Sequence, residues 1–333
     1  MEFMSDKEQS PKSTETFPPA LQAAIDKFNK WADEHLSEAE RQNAIGEALY
    51  HYTDGRGLKG IFENQTIWFT DYRHLNDPSE LVHGMEMARD VMHFVANGAD
   101  GRLGLFLELF ADMFSQRNFS AALEFFIASF SKQRDDLGQW RSYADNGRGY
   151  AIGFAPHLFA ITDDHGLQPN EKVVVGPVLY RVDQVIARHQ LAIDEAAAIF
   201  LEAVTANADL IADKTIGLPF MQEFARAIIA SPLIWNCLTS KHPAYEHEQE
   251  VRLIILGLRE RLMPYIKTRL RGSEIVPYVV HDMPLRRGNN IAEIVVGPAA
   301  PPEAERSVHT LLTSLGVDPI PPISRSDIPY RVV

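Results

Sequence analysis

The stretch Glu248-Gln249-Glu250-Val251-Arg252-Leu253-Ile254-Ile255-Leu256 decides the fold class, because its apolar run predicts a buried strand late in the chain. If this strand starts upstream, side-chain alternation places four charged residues on one face: Glu246, Glu248, Glu250 and Arg252. Three carboxylates on one face repel one another. Two interpretations therefore stay open, a solvated charge ladder beside Lys241 or a functional carboxylate at a reacting sugar.

Other apolar runs predict seven further strands, at 48–51, 66–70, 125–131, 150–154, 173–182, 275–280 and 293–296. Helical patterns lie between them without regular strand–helix alternation, which disfavours a doubly wound parallel sheet. The sequence therefore predicts an α+β fold, with a mixed central β-sheet of short strands and helical insertions.

The same patterns divide the chain into three parts. Residues 1–19 are rich in Ser, Thr, Lys and Pro and predict a disordered leader, which opens with what resembles a cloning remnant. Residues 20–47 predict an N-terminal helix, because apolar residues recur three and four apart. Residues 48–333 predict a single α+β domain with a helical insertion at 184–231. A lid, a dimer surface and simple packing stay open for that insertion.

Composition argues against several classes of protein. Hydrophobic residues make up 45% and charged residues 23% of the 333, as in globular proteins. The only cysteine, Cys237, excludes an intrachain disulfide or a multi-cysteine metal site and suits a reducing cytoplasm. No apolar run reaches 18 residues, so no membrane partner is expected. The net charge of −13 argues against a basic face for duplex nucleic acid.

Common catalytic motifs are absent from the sequence. It contains no G-x-x-x-x-G-K-[ST], no G-x-G-x-x-G opening a helix, no H-E-x-x-H and no G-x-S-x-G. P-loop phosphoryl transfer, ordinary dinucleotide oxidoreduction, zincin proteolysis and α/β-hydrolase chemistry are therefore disfavoured.

Two clusters in the first third of the chain are candidate binding residues. His51-Tyr52-Thr53 ends a predicted strand before a glycine-containing turn, where the imidazole can donate to a sugar hydroxyl or simply pack at the sheet margin. Asn76-Asp77-Pro78-Ser79-Glu80 fits a helix start, with Asp77 as N-cap and Glu80 completing a capping box. Capping does not explain Asn76, so a ligand role stays open for Asn76 or Asp77.

A third cluster, Gln139-Trp140-Arg141 with Tyr143, follows in the middle of the chain. A Trp between two hydrogen-bonding side chains could form a platform for an anion or a base. The planar guanidinium of Arg141 suits phosphate or carboxylate. The alternative is that Arg141 pairs with Asp135 or Asp136.

The late segment also carries potential metal ligands: His242, His247, Glu248 and Glu250. Their spacing matches no established pattern of metal ligands. No metal site is therefore expected, although a metal-dependent hydrolase stays open as an alternative.

Four of these blocks, taken in order with the closing Ile328-Pro329-Tyr330-Arg331, resemble the bacterial domain-of-unknown-function family numbered 2971. The blocks are Leu49–Thr53, Leu75–Glu80, Leu137–Arg141 and Glu248–Arg252. The resemblance spans roughly residues 48–331. It implies a family rather than an activity, because the family name carries no established function.

A more distant resemblance is to the ADP-ribosyltransferase superfamily. His51 followed by Thr53 resembles the H-x-T variant of its first motif, Ser129-Phe130-Ser131 its serine-bearing second motif, and Glu248-Gln249-Glu250 its E-x-E third motif. The resemblance implies an ADP-ribosyltransferase-like sheet and NAD as the substrate. The blocks at 76–80 and 139–141 have no counterpart in that superfamily.

That resemblance implies roles for the residues of the first and third motifs. Glu250 would stabilise the positive charge that develops on the ribose, and Glu248 would orient the acceptor. His51 would bind the adenosine-side ribose, and Tyr52 or Thr53 would line the nicotinamide pocket. His51 and Glu250 are therefore expected to share one cavity.

Three further residues have supporting roles under the same resemblance. Ser129 would position Glu250 or the nicotinamide ribose, and Arg141 would meet the pyrophosphate. Arg252 would help keep the pKa of Glu250 low, because the carboxylate must be ionised to act.

Three functions follow from these interpretations. The first is an NAD-consuming enzyme that transfers ADP-ribose to a macromolecule or to water, which at family level suits a toxin or a phage-defence effector. The second is a nucleotide-binding regulatory module without catalysis, and the third is a metal-dependent hydrolase. The sequence does not identify the acceptor, and it leaves a homodimer open.

Overall fold

The computed structural model describes residues 17–76, 80–99, 101–114, 123–159 and 173–330. The predicted leader lies almost entirely outside the described residues, and so does Asp77. The predictions of a disordered leader and of an N-cap at Asp77 therefore stay predictions.

Ten strands are found in the described ranges. They are β1 (Leu49–Thr53), β2 (Thr66–Asp71), β3 (Leu123–Ser131), β4 (Tyr150–Phe154), β5 (Val173–Pro177), β6 (Glu250–Leu258), β7 (Lys267–Arg271), β8 (Glu274–Asp282), β9 (Ile291–Val296) and β10 (Ile323–Arg325). Eight of them correspond to predicted strands. β7 and β10 were not predicted as strands, because neither has an apolar run.

The α-helices of the described residues are α1 (Pro19–Gln42), α2 (Gly55–Asn64), α3 (Glu80–Asn97), α4 (Gly101–Met113), α5 (Leu137–Tyr143), α6 (Val182–Ala206), α7 (Ala208–Ala212), α8 (Lys214–Ile228), α9 (Ile234–Leu238), α10 (Arg259–Leu262) and α11 (Ala304–Ser314). Two short helices near the site begin at aspartate N-caps: Asp54 accepts from the Gly57 N–H, and Asp136 from the Gln139 N–H. None of the helices in the described ranges has the length and apolar character needed to cross a membrane.

The strands form one sheet in the order β10-β9-β4-β1-β3-β2-β8-β7, with β6 pairing β3 and β5. The pairs are antiparallel except β9–β10, which is parallel. The α+β class with a mixed central sheet is therefore confirmed.

The sheet splits along one edge of β3. On its other edge, β3 pairs with β6 from Leu123 to Ser131. On the split edge it pairs with β2 at Phe126 and Ile127, and with β1 only at Ser131. No described strand pairs with residues 128–130 on that edge, so a slit opens between β1 and β2.

Two apolar cores lie on opposite faces of the sheet. Side chains of α1, α3, α4, α6 and α8 form the larger core against β3 and β6. Helices α2 and α11 cover the other face. Successive residues of β6 serve both cores, since Leu253 packs in the second and Ile254 in the first. The predicted insertion at 184–231 thus belongs to a helical layer that also contains α1.

Candidate functional site

A cavity of about 820 Å³ occupies the slit between β1 and β2. Its walls include the start of α2 on one side and parts of α5 and the 241–250 segment on the other. Most residues predicted for the site line it: His51, Tyr52, Thr53, Asn76, Glu80, Ser129, Gln139, Arg141, Tyr143, Glu248, Glu250 and Arg252. The fold therefore brings together segments that are far apart in sequence.

The strand register shows that His51 and Glu250 reach this cavity from opposite faces of the sheet. Ser131 is the register partner of both Tyr50 and Glu250, so these three side chains share a face. His51 points to the other face, where its ring lies 5.6 Å from that of Phe130. Because the sheet is split, both groups nevertheless line one cavity.

The floor of the cavity is a buried cluster of three carboxylates and two cations. The Lys241 ammonium binds all three carboxylates, at 3.1 Å from Glu80 Oε1, 2.6 Å from Glu248 Oε2 and 3.1 Å from Glu250 Oε2. Its side chain is only 5% exposed. The carboxylates outnumber the cations, so the cluster carries a formal charge of −1.

Arg252 is the second cation of the cluster. Its Nε lies 2.9 Å from Glu250 Oε1 and its Nη2 lies 3.0 Å from Glu250 Oε2. Nη2 also binds Glu80, and Nη1 donates to the Leu238 carbonyl at 2.7 Å. This bidentate pairing fixes the plane of the Glu250 carboxylate.

Glu250 is ionised in this environment. Burial alone would raise the pKa of its carboxyl group, but the charges of Arg252 and Lys241, with a hydrogen bond from Ser129, bring the pKa down to about 2. The same bonds occupy the carboxylate, since Arg252 donates twice and Lys241 and Ser129 once each. The predicted roles of Arg252 and Ser129 around Glu250 agree with these contacts.

A hydrogen-bonded chain holds Glu248 beside this cluster. Tyr143 donates to Glu248 Oε1 at 3.0 Å, and the Asn76 side chain hydrogen-bonds the Tyr143 hydroxyl. Burial and the charge of Glu248 raise the pKa of Tyr143 to about 12, so the phenol stays protonated at neutral pH. Asn76, unexplained by capping, thus supports the Tyr143–Glu248 contact.

His51 lines the cavity as a neutral imidazole. Burial lowers its pKa, followed in size by the opposing hydrogen bond to Ser129 and the nearby charge of Arg269. Nδ1 lies 3.1 Å from the Ser129 carbonyl oxygen, which can only accept, so Nδ1 carries the proton. Nε2 is then an acceptor, suited to a hydroxyl donor on a ligand.

Arg141 lines the cavity with its side chain exposed. The structure gives it no carboxylate partner among the described residues. Both expected partners are engaged elsewhere: Asp135 accepts from Trp140 Nε1 at 2.6 Å, and Asp136 caps α5. The alternative pairing of Arg141 with Asp135 or Asp136 is therefore wrong, and Arg141 is available to an anion.

Two other expectations, for Trp140 and Tyr52, are corrected by the structure. Trp140 is fully buried and does not line the cavity, so it is a core residue rather than a platform. The Tyr52 hydroxyl donates to the Gln133 carbonyl, at 2.8 Å, and its ring packs on Trp140 at 4.8 Å. Tyr52 therefore contributes to the cavity wall without presenting its hydroxyl.

The prediction of a solvated charge ladder on one strand face, from Glu246 to Arg252, is also wrong. Residues Pro243–Glu248 form a 3₁₀ turn, and β6 begins only at Glu250. Gln249 between them has a left-handed φ of 43°, which ends the extended backbone there. Glu248 and Glu250 are buried rather than solvated, and Lys241, not a shared strand face, brings them together.

Glu80 contacts the buried cations, while the capping box predicted for it with Asp77 lies outside the described residues. Both of its carboxylate oxygens bind cations of the cluster, Oε1 to Lys241 and Oε2 to Arg252. The N-terminal residue of α3 therefore serves the cavity floor.

The metal alternative receives no structural support. Over the described ranges, no group of three His, Cys, Asp or Glu side chains is arranged to hold a metal ion. His242 instead accepts from the Ala244 N–H, and Glu248 and Glu250 bind Lys241.

Sequence reasoning missed several residues of the site. Lys241 was considered only as a neighbour of a charge ladder. Tyr180, whose hydroxyl oxygen accepts from the Glu250 backbone N–H at 2.8 Å, was not considered. Trp68 and Arg269 also line the cavity. Trp68 had a usable signal, because it is a large aromatic at an outward position of a strand whose neighbours are buried.

The fold and the site define a class of protein: an α+β domain with a polar cavity in a split sheet and a buried ion cluster at its floor. Residues 139–253, roughly a third of the chain, match the model of the family described as Protein of unknown function (DUF2971). The matched segment, which is similar to that family, contains Gln139, Arg141, Lys241, Glu248 and Glu250. Comparison with curated proteins and with solved structures gave no match.

Proposed function

We propose that the protein is an NAD-consuming enzyme that cleaves the nicotinamide–ribose bond and transfers ADP-ribose to a macromolecule or to water. The observation that carries the proposal is one cavity lined by an ionised Glu250, a neutral His51 and an Arg141 that has no carboxylate partner in the described part of the chain. Sugar hydroxyls, phosphates and a developing positive charge each find a suitable partner there.

The order of the strands supports the proposal. The segments that resemble the first two superfamily motifs lie on β1 and β3, and the third ends at Glu250, the first residue of β6. β3 pairs with both β1 and β6. Residues far apart in the chain thus reach one cavity, as a shared substrate site requires. The resemblance was drawn from sequence motifs, without knowledge of which strands pair.

The chemistry requires a fixed negative charge. When the bond between the ribose carbon and the nicotinamide nitrogen breaks, its electron pair leaves with nicotinamide and positive charge develops on the ribose. A preorganised carboxylate such as Glu250 stabilises that charge. The acceptor oxygen or nitrogen then bonds the ribose carbon and releases its proton to solvent.

The test is to incubate the purified protein with NAD and measure released nicotinamide by chromatography. Wild type should release nicotinamide, and Glu250→Gln should lower the rate by at least about a hundredfold, as for removal of an electrostatic stabiliser. The matched control is Glu124→Gln, since Glu124 is also buried and also pairs with two arginines, Arg73 and Arg259, but does not line the cavity. Turnover that survives Glu250→Gln would overturn the proposal.

A specific observation favours a second candidate, a nucleotide-binding module without catalysis. Arg252, Lys241 and Ser129 already occupy the acceptor positions of the Glu250 carboxylate. A carboxylate so engaged stabilises the fold without being free for a ribose hydroxyl. Calorimetric binding of NAD with no release of nicotinamide would identify this function.

The cellular setting belongs to the same proposal. A buried free thiol at Cys237 and a substrate such as NAD suit the cytoplasm. An effector that consumes NAD, as a toxin or phage-defence protein would, should slow the growth of cells expressing it. Glu250→Ala should relieve that effect.

A further inference from the structure

We propose that Trp68 and Arg269 form a nucleotide subsite in the wall of the cavity, where Trp68 stacks on the base and Arg269 binds a phosphate of an ADP group. The subsite rests on the proposed function in one respect, because it would hold the adenylate half of NAD. Neither residue belongs to the motifs that suggested NAD.

Trp68 has the exposure expected of a stacking surface. It lies in the middle of β2 between Ile67 and Phe69, which are buried, yet it is 41% exposed and lines the cavity. Its ring packs at 4.4 Å from the ring of Tyr278. Tyr278 thus supports the indole, whose exposed part is available to a flat, aromatic ligand.

Arg269 is a cation without a carboxylate partner among the described residues. Its guanidinium lies 5.3 Å from the centre of the Trp68 ring and 6.0 Å from that of Tyr278. Nη2 donates to Thr70 Oγ1 at 3.0 Å, while the buried Nε has no acceptor within the described ranges. Burying part of a guanidinium with an unsatisfied N–H donor costs free energy unless an anion accepts a hydrogen bond from that donor.

The surroundings of Arg269 point to the same ligand chemistry. Burial lowers the pKa of Arg269, and the neighbouring charge of Arg271 lowers it further. Arg271 already pairs with Glu274, at 2.7 Å, whereas Arg269 does not. A phosphate at Arg269 would relieve both the desolvation and the repulsion.

The subsite also fits the position of His51. His51 and Arg269 both line the cavity, and the charge of Arg269 contributes to the lowered pKa of His51. Base, phosphate and sugar of one nucleotide are thereby matched to Trp68, Arg269 and His51, three side chains of one cavity.

The experiment is calorimetric titration of the full chain with ADP. Arg269→Gln should weaken ADP binding by about tenfold or more, as for loss of a hydrogen bond to a charged group. Trp68→Ala should weaken it roughly five- to hundredfold, as for loss of base stacking, while Trp68→Phe should retain most of the affinity. Lys267→Gln is the matched control, because Lys267 is an exposed cation of the same strand outside the cavity.

Fluorescence locates the ligand independently. ADP should change the tryptophan emission of wild type and leave that of Trp68→Phe unchanged, although this variant still binds. Wild type that fails to bind ADP, or equal affinities for ADP in wild type, Arg269→Gln and Trp68→Ala, would overturn the subsite. A thermal unfolding midpoint for each variant confirms that it is folded.

The outcomes separate the subsite from the proposed activity. The pattern of ADP affinities without nicotinamide release would keep the subsite and reject the enzyme. Nicotinamide release with unchanged ADP affinities would keep the enzyme and reject the subsite.

Discussion

At the scale of single residues, Lys241 organises the cavity floor. Its ammonium group has three N–H donors, and each binds a different carboxylate: Glu80, Glu248 and Glu250. Burial would lower the pKa of this group, but the carboxylates outweigh burial and raise it, so Lys241 is charged at neutral pH. Without it, three buried negative charges would face Arg252 alone.

Lys241→Met should therefore reduce the free energy of unfolding by about 3–5 kcal/mol, the cost of removing one partner from a buried ion pair. Urea denaturation measures it. Lys267→Met, on an exposed strand position, should change stability by less than about 0.5 kcal/mol. Removing a carboxylate as well, in Lys241→Met/Glu80→Gln, should cost less than the two changes added together. Strict additivity would contradict the cluster.

At the scale of elements, α3 and α9 set the spacing of this cluster. α3 begins with Glu80, and the chain after α9 leads to Lys241. The two helices pack closely at Gly84, where a Cβ atom would lie 2.7 Å from the Cα of Cys237. Only glycine allows this approach, so the helix–helix distance depends on one residue.

Gly84→Ala should lower the free energy of unfolding by about 1–3 kcal/mol, because the Cys237 backbone must move. Gly60→Ala is the matched control in α2, since a Cβ there meets nothing within 4 Å. It should be neutral or stabilise by up to about 1 kcal/mol, from helix propensity alone. Thermal unfolding of both variants gives the comparison. A Gly84→Ala protein as stable as wild type would show that the two helices can separate without cost.

The strands differ in how well the sequence predicts them. Strands β3 and β6 followed from their apolar runs, because both faces of each are buried. The polar β7, Lys-Thr-Arg-Leu-Arg, could not be predicted, since it is an exposed edge strand stabilised by its partner β8.

The site was partly predictable for the same reason. Residues on predicted strands, such as His51 and Glu250, could be located from the hydrophobic pattern. The contacts of Glu80 and Lys241 could not, because they depend on how α3 and α9 pack. The left-handed backbone at Gln249, which separates Glu248 from the strand, cannot be predicted from a hydrophobic pattern.

At the scale of the whole molecule, the split sheet and the two cores make a cavity that reaches both faces. Helical and β segments meet at its floor through charges rather than apolar contacts. The stability of the molecule should therefore depend on pH through Glu250.

The pKa of Glu250 is lowered to about 2 in the folded protein, against an ordinary value of 4.5, and this lowering sets how stability changes with pH. A depressed carboxyl pKa contributes stability that is complete above the ordinary value and is lost as pH falls towards the folded value. The thermal midpoint of wild type should exceed that of Glu250→Gln at pH 6, and the difference should shrink between pH 4.5 and pH 2. A constant difference over this range would contradict the ionised state of Glu250.

The central claim is that one cavity, formed where the sheet splits, holds a nucleotide between its aromatic wall and its ionic floor. A crystal structure of the protein with ADP-ribose tests this most directly. Ligand density should run from Trp68 and Arg269, past His51, to Glu250. Density for ADP-ribose at another surface, with this cavity free of it, would show that the cavity is not the nucleotide site.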